Sequence, residues 1–144
     1  MIRYARADPP DVPSLVRMRG EEDPADPRMQ AYLAGEHHPR HALAPRAMWI
    51  ALDGESPVGY IAGHRTRRFE CDGELQYLYV RPTQRRRGVA AGLLVRLAGW
   101  FVEQGARRVC VDVGSDEGRR FYQSRGADDL APHWMVWEDV RQLL

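Results

Sequence analysis

The hydrophobic pattern changes period in the middle of the chain. From Glu74 to Val80 the residues Glu74-Leu75-Gln76-Tyr77-Leu78-Tyr79-Val80 are rich in aromatic and β-branched side chains, which predicts a strand. Arg81-Pro82 ends it, because proline cannot donate to a sheet ladder. After the basic turn Gln84-Arg85-Arg86-Arg87-Gly88, apolar residues recur at Ala90, Leu93, Leu94, Leu97, Ala98 and Phe101. That spacing predicts one face of a helix beginning at Val89-Ala90 and stopped by Gly105.

The flanking segments extend this plan. Ile2 to Ala7 reads as a first strand, and Asp8 or Asp11 as the cap of a helix carrying Val12, Leu15, Val16 and Arg19, with Pro13 in its first turn. An acidic, proline-bearing loop follows from Gly20 to Pro27. Met29, Tyr32 and Leu33 predict a short second helix finished by Gly35. Ala47 to Leu52 and Val58 to Arg65 read as a hairpin across the turn Asp53 to Pro57, and Arg67 to Gly73 as a second turn into the Glu74 strand. Arg108 to Val113 is a buried-looking strand, parallel to the Glu74 strand in a right-handed β-α-β unit. Ser115 caps a helix with Asp116 and Glu117 in its first turn, running through Phe121 and Tyr122 to Gly126, and Trp134 to Trp137 alternates as a last strand.

Composition narrows the class. A chain of 144 residues with 44% hydrophobic content is expected to be one domain, residues 1–144, with a real core. The near balance of 21 basic and 20 acidic residues, net +1, does not favour nucleic acid as partner. No apolar run reaches membrane-spanning length and Met1-Ile2-Arg3-Tyr4 begins no signal peptide, so the expectation is a cytoplasmic protein with no membrane partner. Two cysteines, Cys71 and Cys110, are too few for a disulfide framework, and Cys110 reads as core. All basic residues are arginine, which excludes Schiff-base chemistry on lysine. His37, His38 and His41 fall around Pro39 without a nearby cysteine or carboxylate set, so they read as a surface loop and no metal is expected.

The turn before the central helix carries the first chemical signal. A helix opening straight after a basic, glycine-containing turn offers unpaired N–H groups and the positive end of its dipole to an anion. Gly88 admits a ligand to the backbone, and Ala90 and Ala91 keep the first turn slim. No Gly-x-x-x-x-Gly-Lys-Ser/Thr and no Gly-x-Gly-x-x-Gly after a strand is present.

Arg85-x-x-Gly88-x-Ala90, after a strand ending Leu78-Tyr79-Val80-Arg81-Pro82, resembles the acetyl-coenzyme A binding core of the GNAT superfamily of N-acetyltransferases. Ser115, Gly118, Tyr122, Gly126 and Ala127 fall where that family has Asn-x-x-Ala-x-x-x-Tyr-x-x-x-Gly-Phe. Serine replaces the asparagine, glycine the alanine and alanine the phenylalanine. The resemblance spans about Met48 to Trp137. It implies an α/β (α+β) fold with a mixed, mostly antiparallel sheet flanked by helices, and acetyl-coenzyme A as acyl donor. It also implies cofactor contacts from Leu78, Tyr79, Val80, Arg85, Arg86, Arg87, Gly88, Val89, Ala90 and Ser115. Tyr122 is then the acid that protonates the coenzyme sulfur.

Glu74, on the strand face expected to carry Gln76, Leu78 and Val80, is the general base that the resemblance implies, since some acetyltransferases of this fold use a glutamate in that register, usually through water; Asp112 is the alternative. The reaction the resemblance implies is direct acetyl transfer to a primary amine of a small molecule or peptide, and the acidic loop Glu21 to Asp26, which lies where that fold usually lines the acceptor site, favours a cationic acceptor. Two other readings stay open: a non-catalytic acyl-coenzyme A sensor, for which Ser115 is the hint, and an arginine-patch RNA binder with steep salt dependence. Trp134 and Trp137 fit a sheet-edge homodimer as well as a core.

Overall fold

The computed structural model describes residues 1–7, 31–32 and 34–144. Strands β1 (Ile2–Arg6), β2 (Ala42–Asp53), β3 (Ser56–Thr66) and β4 (Gly73–Val80) precede helix α1 (Val89–Glu103). Strand β5 (Val109–Asp112), helix α2 (Asp116–Ser124), β6 (Asp128–Ala131) and β7 (Trp134–Trp137) follow it. The strands form one sheet in the order β1-β2-β3-β4-β5-β7-β6. Only β4 and β5 pair in parallel, as two strands joined by a helical crossover must, and the other neighbours are antiparallel.

Helix α1 covers one face of the sheet. Val89, Leu93, Leu94, Leu97, Ala98, Trp100 and Phe101 are buried on it, and they pack on Ile61, Leu75, Val80, Val109 and Val111 together with Tyr122 and Trp137. Each large apolar side chain so buried contributes roughly 1.5–3 kcal/mol. The opposite face carries Tyr32, Met48, Ile50, Tyr60, Ala62 and Tyr79. Cys71 and Cys110 are free thiols buried with Val136.

Several boundaries differ from the sequence expectation. β2 begins at Ala42, five positions before Ala47, because Pro45 falls at a register shift between Leu43 and Arg46 where no ladder donor is needed. The β2–β3 turn is only Gly54-Glu55, with Ser56 and Pro57 already paired. β6 was not foreseen: its Asp128-Asp129 start is poor strand sequence, held by pairing to β7 alone at the sheet edge. Short 3-10 turns at Arg68–Glu70 and Pro82–Gln84 fall within what read as plain turns, and another lies at Val140–Leu143. The helices expected after Asp8 or Asp11 and through Met29, and the acidic loop, lie outside the described residues; of that stretch, Tyr32 is described and buried.

The most consequential difference is a bulge in β4. Tyr77 pairs with Ala62 and Leu75 with Gly63, leaving Gln76 as the extra residue. Side-chain alternation therefore inverts there. Leu78 and Val80 face α1, as does Leu75, whereas Glu74 joins Tyr77 and Tyr79 on the opposite face with Tyr60, Ala62 and His64. The expectation that Glu74 shares a face with Gln76, Leu78 and Val80 is thus corrected.

Candidate active site

The parallel pairing of β4 with β5 is short. It covers only Gly73, Glu74 and Leu75 opposite Val109, Cys110 and Val111. Beyond it β5 follows β7, with Asp112 opposite Trp134 and Val113 N–H donating to His133 O, while β4 continues along β3 to Val80. The two strands part, and the backbone of Leu78 to Val80 is left with β3 on one side and, among the described residues, no strand on the other.

A groove of about 850 Å³ occupies this opening. Leu78, Tyr79 and Val80 form one wall. Gln84, Arg85, Arg86 and Gly88 close one end beside the first turn of α1, where Val89, Ala90 and Ala91 line it. Gly114, Ser115 and the α2 residues Glu117, Gly118, Phe121 and Tyr122 also line it, as does Arg125 just past α2. Gly88 sits at φ +80, a left-handed conformation that suits glycine, and a Cβ there would project into open space. No side chain caps the N-terminus of α1, so its leading N–H groups are available to a ligand. The groove thus offers a strand edge that no other described strand pairs, with Val80 O already taken by Arg85, and an anion-binding helix start at its end.

The arginines are not equivalent. Arg85 Nε donates to Val80 O at 2.9 Å and its guanidinium lies 5.8 Å from the centroid of the Tyr79 ring, so this side chain holds the turn to the end of β4. Arg87 Nη1 donates to Gln84 Oε1 at 2.7 Å, and Arg87 is not among the residues lining the groove. Arg86 lines it, at φ +64.

On the facing side, Ser115 Oγ accepts from Gly118 N–H at 3.0 Å and caps α2. Tyr122 is buried, with its ring edge-on to Trp137 at 5.6 Å. Burial pushes its phenol well above the ordinary tyrosine range, which keeps the hydroxyl protonated. Of the residues singled out in the sequence, Leu78, Tyr79, Val80, Arg85, Arg86, Gly88, Val89, Ala90, Ser115 and Tyr122 come together; Arg87 and Glu74 do not line the groove. Gln84, Ala91, Gly114, Glu117, Phe121 and Arg125 line it without having been assigned to it. Their positions beside the two motifs were the signal available.

Glu74 lies in a separate buried polar cluster. Its Oε1 accepts from Arg68 Nε at 3.0 Å and Thr66 Oγ1 at 3.3 Å, and Arg68 rests 4.7 Å from the centroid of the Trp134 ring. Burial raises the carboxyl above its ordinary range, a rise that the charge and hydrogen bond of Arg68 oppose. Asp112, the alternative, is exposed at the end of β5. Among the described residues no three His, Cys, Asp or Glu side chains gather as a metal site. Nor is any described helix long and apolar enough to cross a membrane.

A sheet parted beside a bare helix N-terminus is the architecture of a class of transferases that hold an extended donor along a strand edge, and the comparisons agree. The model of the acetyltransferase (GNAT) family matches residues 13–127. The chain belongs to that family, and it is an N-acetyltransferase by class. Among solved structures, a protein described as a GNAT-family acetyltransferase from Desulfovibrio desulfuricans superposes with TM-score 0.76 at 19% identity, covering 97% of this chain and 99% of that one. Ard1 from Thermoplasma volcanium gives TM-score 0.74 at 19% identity over 94% and 96% of the two chains. The PaiA N-acetyltransferase from Thermoplasma acidophilum, in complex with coenzyme A, gives 0.67 at 14% over 94% and 96%. No curated protein matches the sequence.

Proposed function

We propose that the groove binds acetyl-coenzyme A and that the protein transfers the acetyl group directly to a primary amine. The observation that carries this reading is the juxtaposition, in one groove, of the Leu78–Val80 edge that no other described strand pairs, the uncapped start of α1 behind Gly88, and the protonated phenol of Tyr122. The pantetheine arm would extend β4 as a further strand, and the pyrophosphate would sit on the N–H groups after Gly88, with Arg86 adding charge. A backbone N–H of the Leu78–Val80 edge is placed to polarise the thioester carbonyl, and Tyr122 to protonate the departing thiolate as the C–S bond breaks. Arg85 acts here by fixing the turn and Arg87 by holding Gln84, so neither is assigned a direct cofactor contact.

Glu74 is the proposed acceptor of the amine proton. Its Oε1 is pinned by two donors, while Oε2 receives no hydrogen bond from any described residue. Direct transfer is supported by the absence of a cysteine among the groove-lining residues, both thiols being packed in a separate cluster. The acceptor is proposed to be an amine on a small molecule or peptide, with no nucleic acid or membrane partner, and the protein to be cytoplasmic. A panel of amines assayed by thiol release from acetyl-coenzyme A tests the whole reading. Turnover with intersecting initial-rate lines is the expected result, and tight cofactor binding with no turnover on any amine would favour a sensor instead.

A further inference from the structure

His64 and Glu74 stand opposite each other in the β3–β4 ladder, and packing alone does not account for them. Both are nearly sealed from solvent, at 2% and 3% exposure. His64 Nδ1 lies 2.9 Å from the hydroxyl of Tyr32, which is itself buried. His64 Nε2 has no hydrogen-bond partner among the described residues and stands 3.9 Å from Glu74 Oε1.

A buried ring nitrogen without a partner is costly and needs a reason. Were Nε2 protonated, it would be a donor beside a carboxylate and would close to about 2.8 Å. At 3.9 Å Nε2 and Oε1 are beyond hydrogen-bond reach, and Oε1 is already held by Arg68 and Thr66. The 2.9 Å contact between Tyr32 Oη and Nδ1 can carry its proton in either direction; the form in which Nδ1 donates to Tyr32 Oη leaves Nε2 bare toward Glu74.

Arg68 and Thr66 already donate to Oε1 and stabilise the charged carboxylate. A bare Nε2 does the reverse, because it can bond only to the protonated acid. We propose that His64, oriented by Tyr32, is a positioning residue for acetyl transfer whose bare Nε2 accepts a hydrogen bond from Glu74 once Glu74 has taken a proton from the acceptor ammonium.

This rests on Glu74 being the base. In the step, an ammonium N–H bond breaks, the proton passes by way of water to the Glu74 carboxylate, which lies outside the groove, and the freed lone pair attacks the thioester carbonyl. His64 stays neutral throughout. Its surroundings hold it so: burial first, then Arg68 from the loop before β4, Arg46 from β2 and His38 ahead of β2 lower its pKa to about 4. Glu74 in turn feels Arg68 and, from β5, Asp112. Tyr32 feels Arg46, Glu74 and Tyr77.

The experiment combines tautomer and rate. In ¹⁵N-histidine-labelled protein the expected His64 signal between pH 6 and 8 is that of the Nδ1–H form; an Nε2–H form would overturn the proposal. His64→Asn keeps a donor toward Tyr32 and deletes Nε2. It is expected to move the acid limb of the kcat profile down by about one unit and to lower kcat at pH 7.5 about tenfold, with partial recovery in His64→Gln, whose amide reaches the Nε2 position. Should His64→Asn not fold, Tyr32→Phe supplies the same test, since losing the hydroxyl frees the ring to take the Nε2–H form and shifts the limb the same way. A folded variant with a wild-type profile overturns the role of His64. Glu74→Gln run in parallel separates the two levels: full activity there removes the base assignment itself, whereas an impaired Glu74→Gln beside an unaltered His64→Asn removes only the proposal.

Discussion

Ser115 Oγ accepts the backbone N–H of Gly118 at 3.0 Å, so the hydroxyl at the mouth of the groove is also the cap of α2. A Cβ built on Gly118 would come to 3.2 Å from the same oxygen. The serine and the glycine that depart from the family pattern therefore fit each other: a short side chain folds back onto the helix, and the residue it meets is kept small.

This coupling is measurable. Ser115→Ala is expected to cost about 1 kcal/mol through the lost cap. Gly118→Ala alone should gain less than the roughly 1 kcal/mol that helix propensity offers, because the cap is crowded. In the Ser115→Ala background the full gain should appear, and additive values in denaturant unfolding would refute the coupling.

Gly88 gives the sharpest test of the cofactor site. Since a side chain here would meet no protein atom within 4 Å, Gly88→Val should leave the core untouched. The left-handed φ costs about 1–2 kcal/mol for a branched residue. Cβ and its methyls would project over the N–H groups that start α1, so the acetyl-coenzyme A Kd should rise at least tenfold. Calorimetry on the folded variant decides it, an unchanged Kd being the adverse outcome.

Tyr122→Phe keeps the ring against Trp137 and removes only the hydroxyl. If the phenol acts as charge builds on sulfur, kcat should fall about a hundredfold while cofactor Kd changes by less than about threefold. Equal losses in both would make Tyr122 a positioning residue.

Glu74 should show a conflict between stability and activity. A carboxyl whose folded pKa is raised binds its proton more tightly in the native state. Stability therefore declines as pH rises from the unfolded carboxylate range through the raised folded pKa, and stays lower above it. Glu74→Gln removes that decline. Its melting temperature relative to wild type should increase from pH 4 to neutrality, while kcat falls about ten- to a hundredfold with less loss at high pH, where the free amine is already present. Parallel melting curves at all pH values would count against the buried-carboxyl account.

The groove was largely legible because its parts are local: a strand stop at Pro82, a turn with Gly88, a helix period, and a capped second helix with Tyr122 on it. Long-range features were not. Arg87 cannot be told from Arg86 by sequence, since only the turn geometry sends one to Gln84 and the other to the groove. β6 takes its conformation from β7, with little help from its own aspartates. The partnership of Tyr32, His64 and Glu74 joins positions far apart in the chain, and neither periodicity nor spacing marks it. The face of Glu74 was misread for a different reason, because alternation predicts faces only while pairing is unbroken.

That break at Gln76 works as a one-residue frameshift within a single strand. Without it, placing a carboxylate opposite His64 and apolar side chains under α1 would demand incompatible parities along β4. With it, the half of the strand that carries Glu74 and the half that lines the groove can vary independently. Deleting Gln76 would restore one parity throughout, and either Glu74 would be driven into the apolar layer beneath α1 or Leu78 and Val80 would be turned out of it.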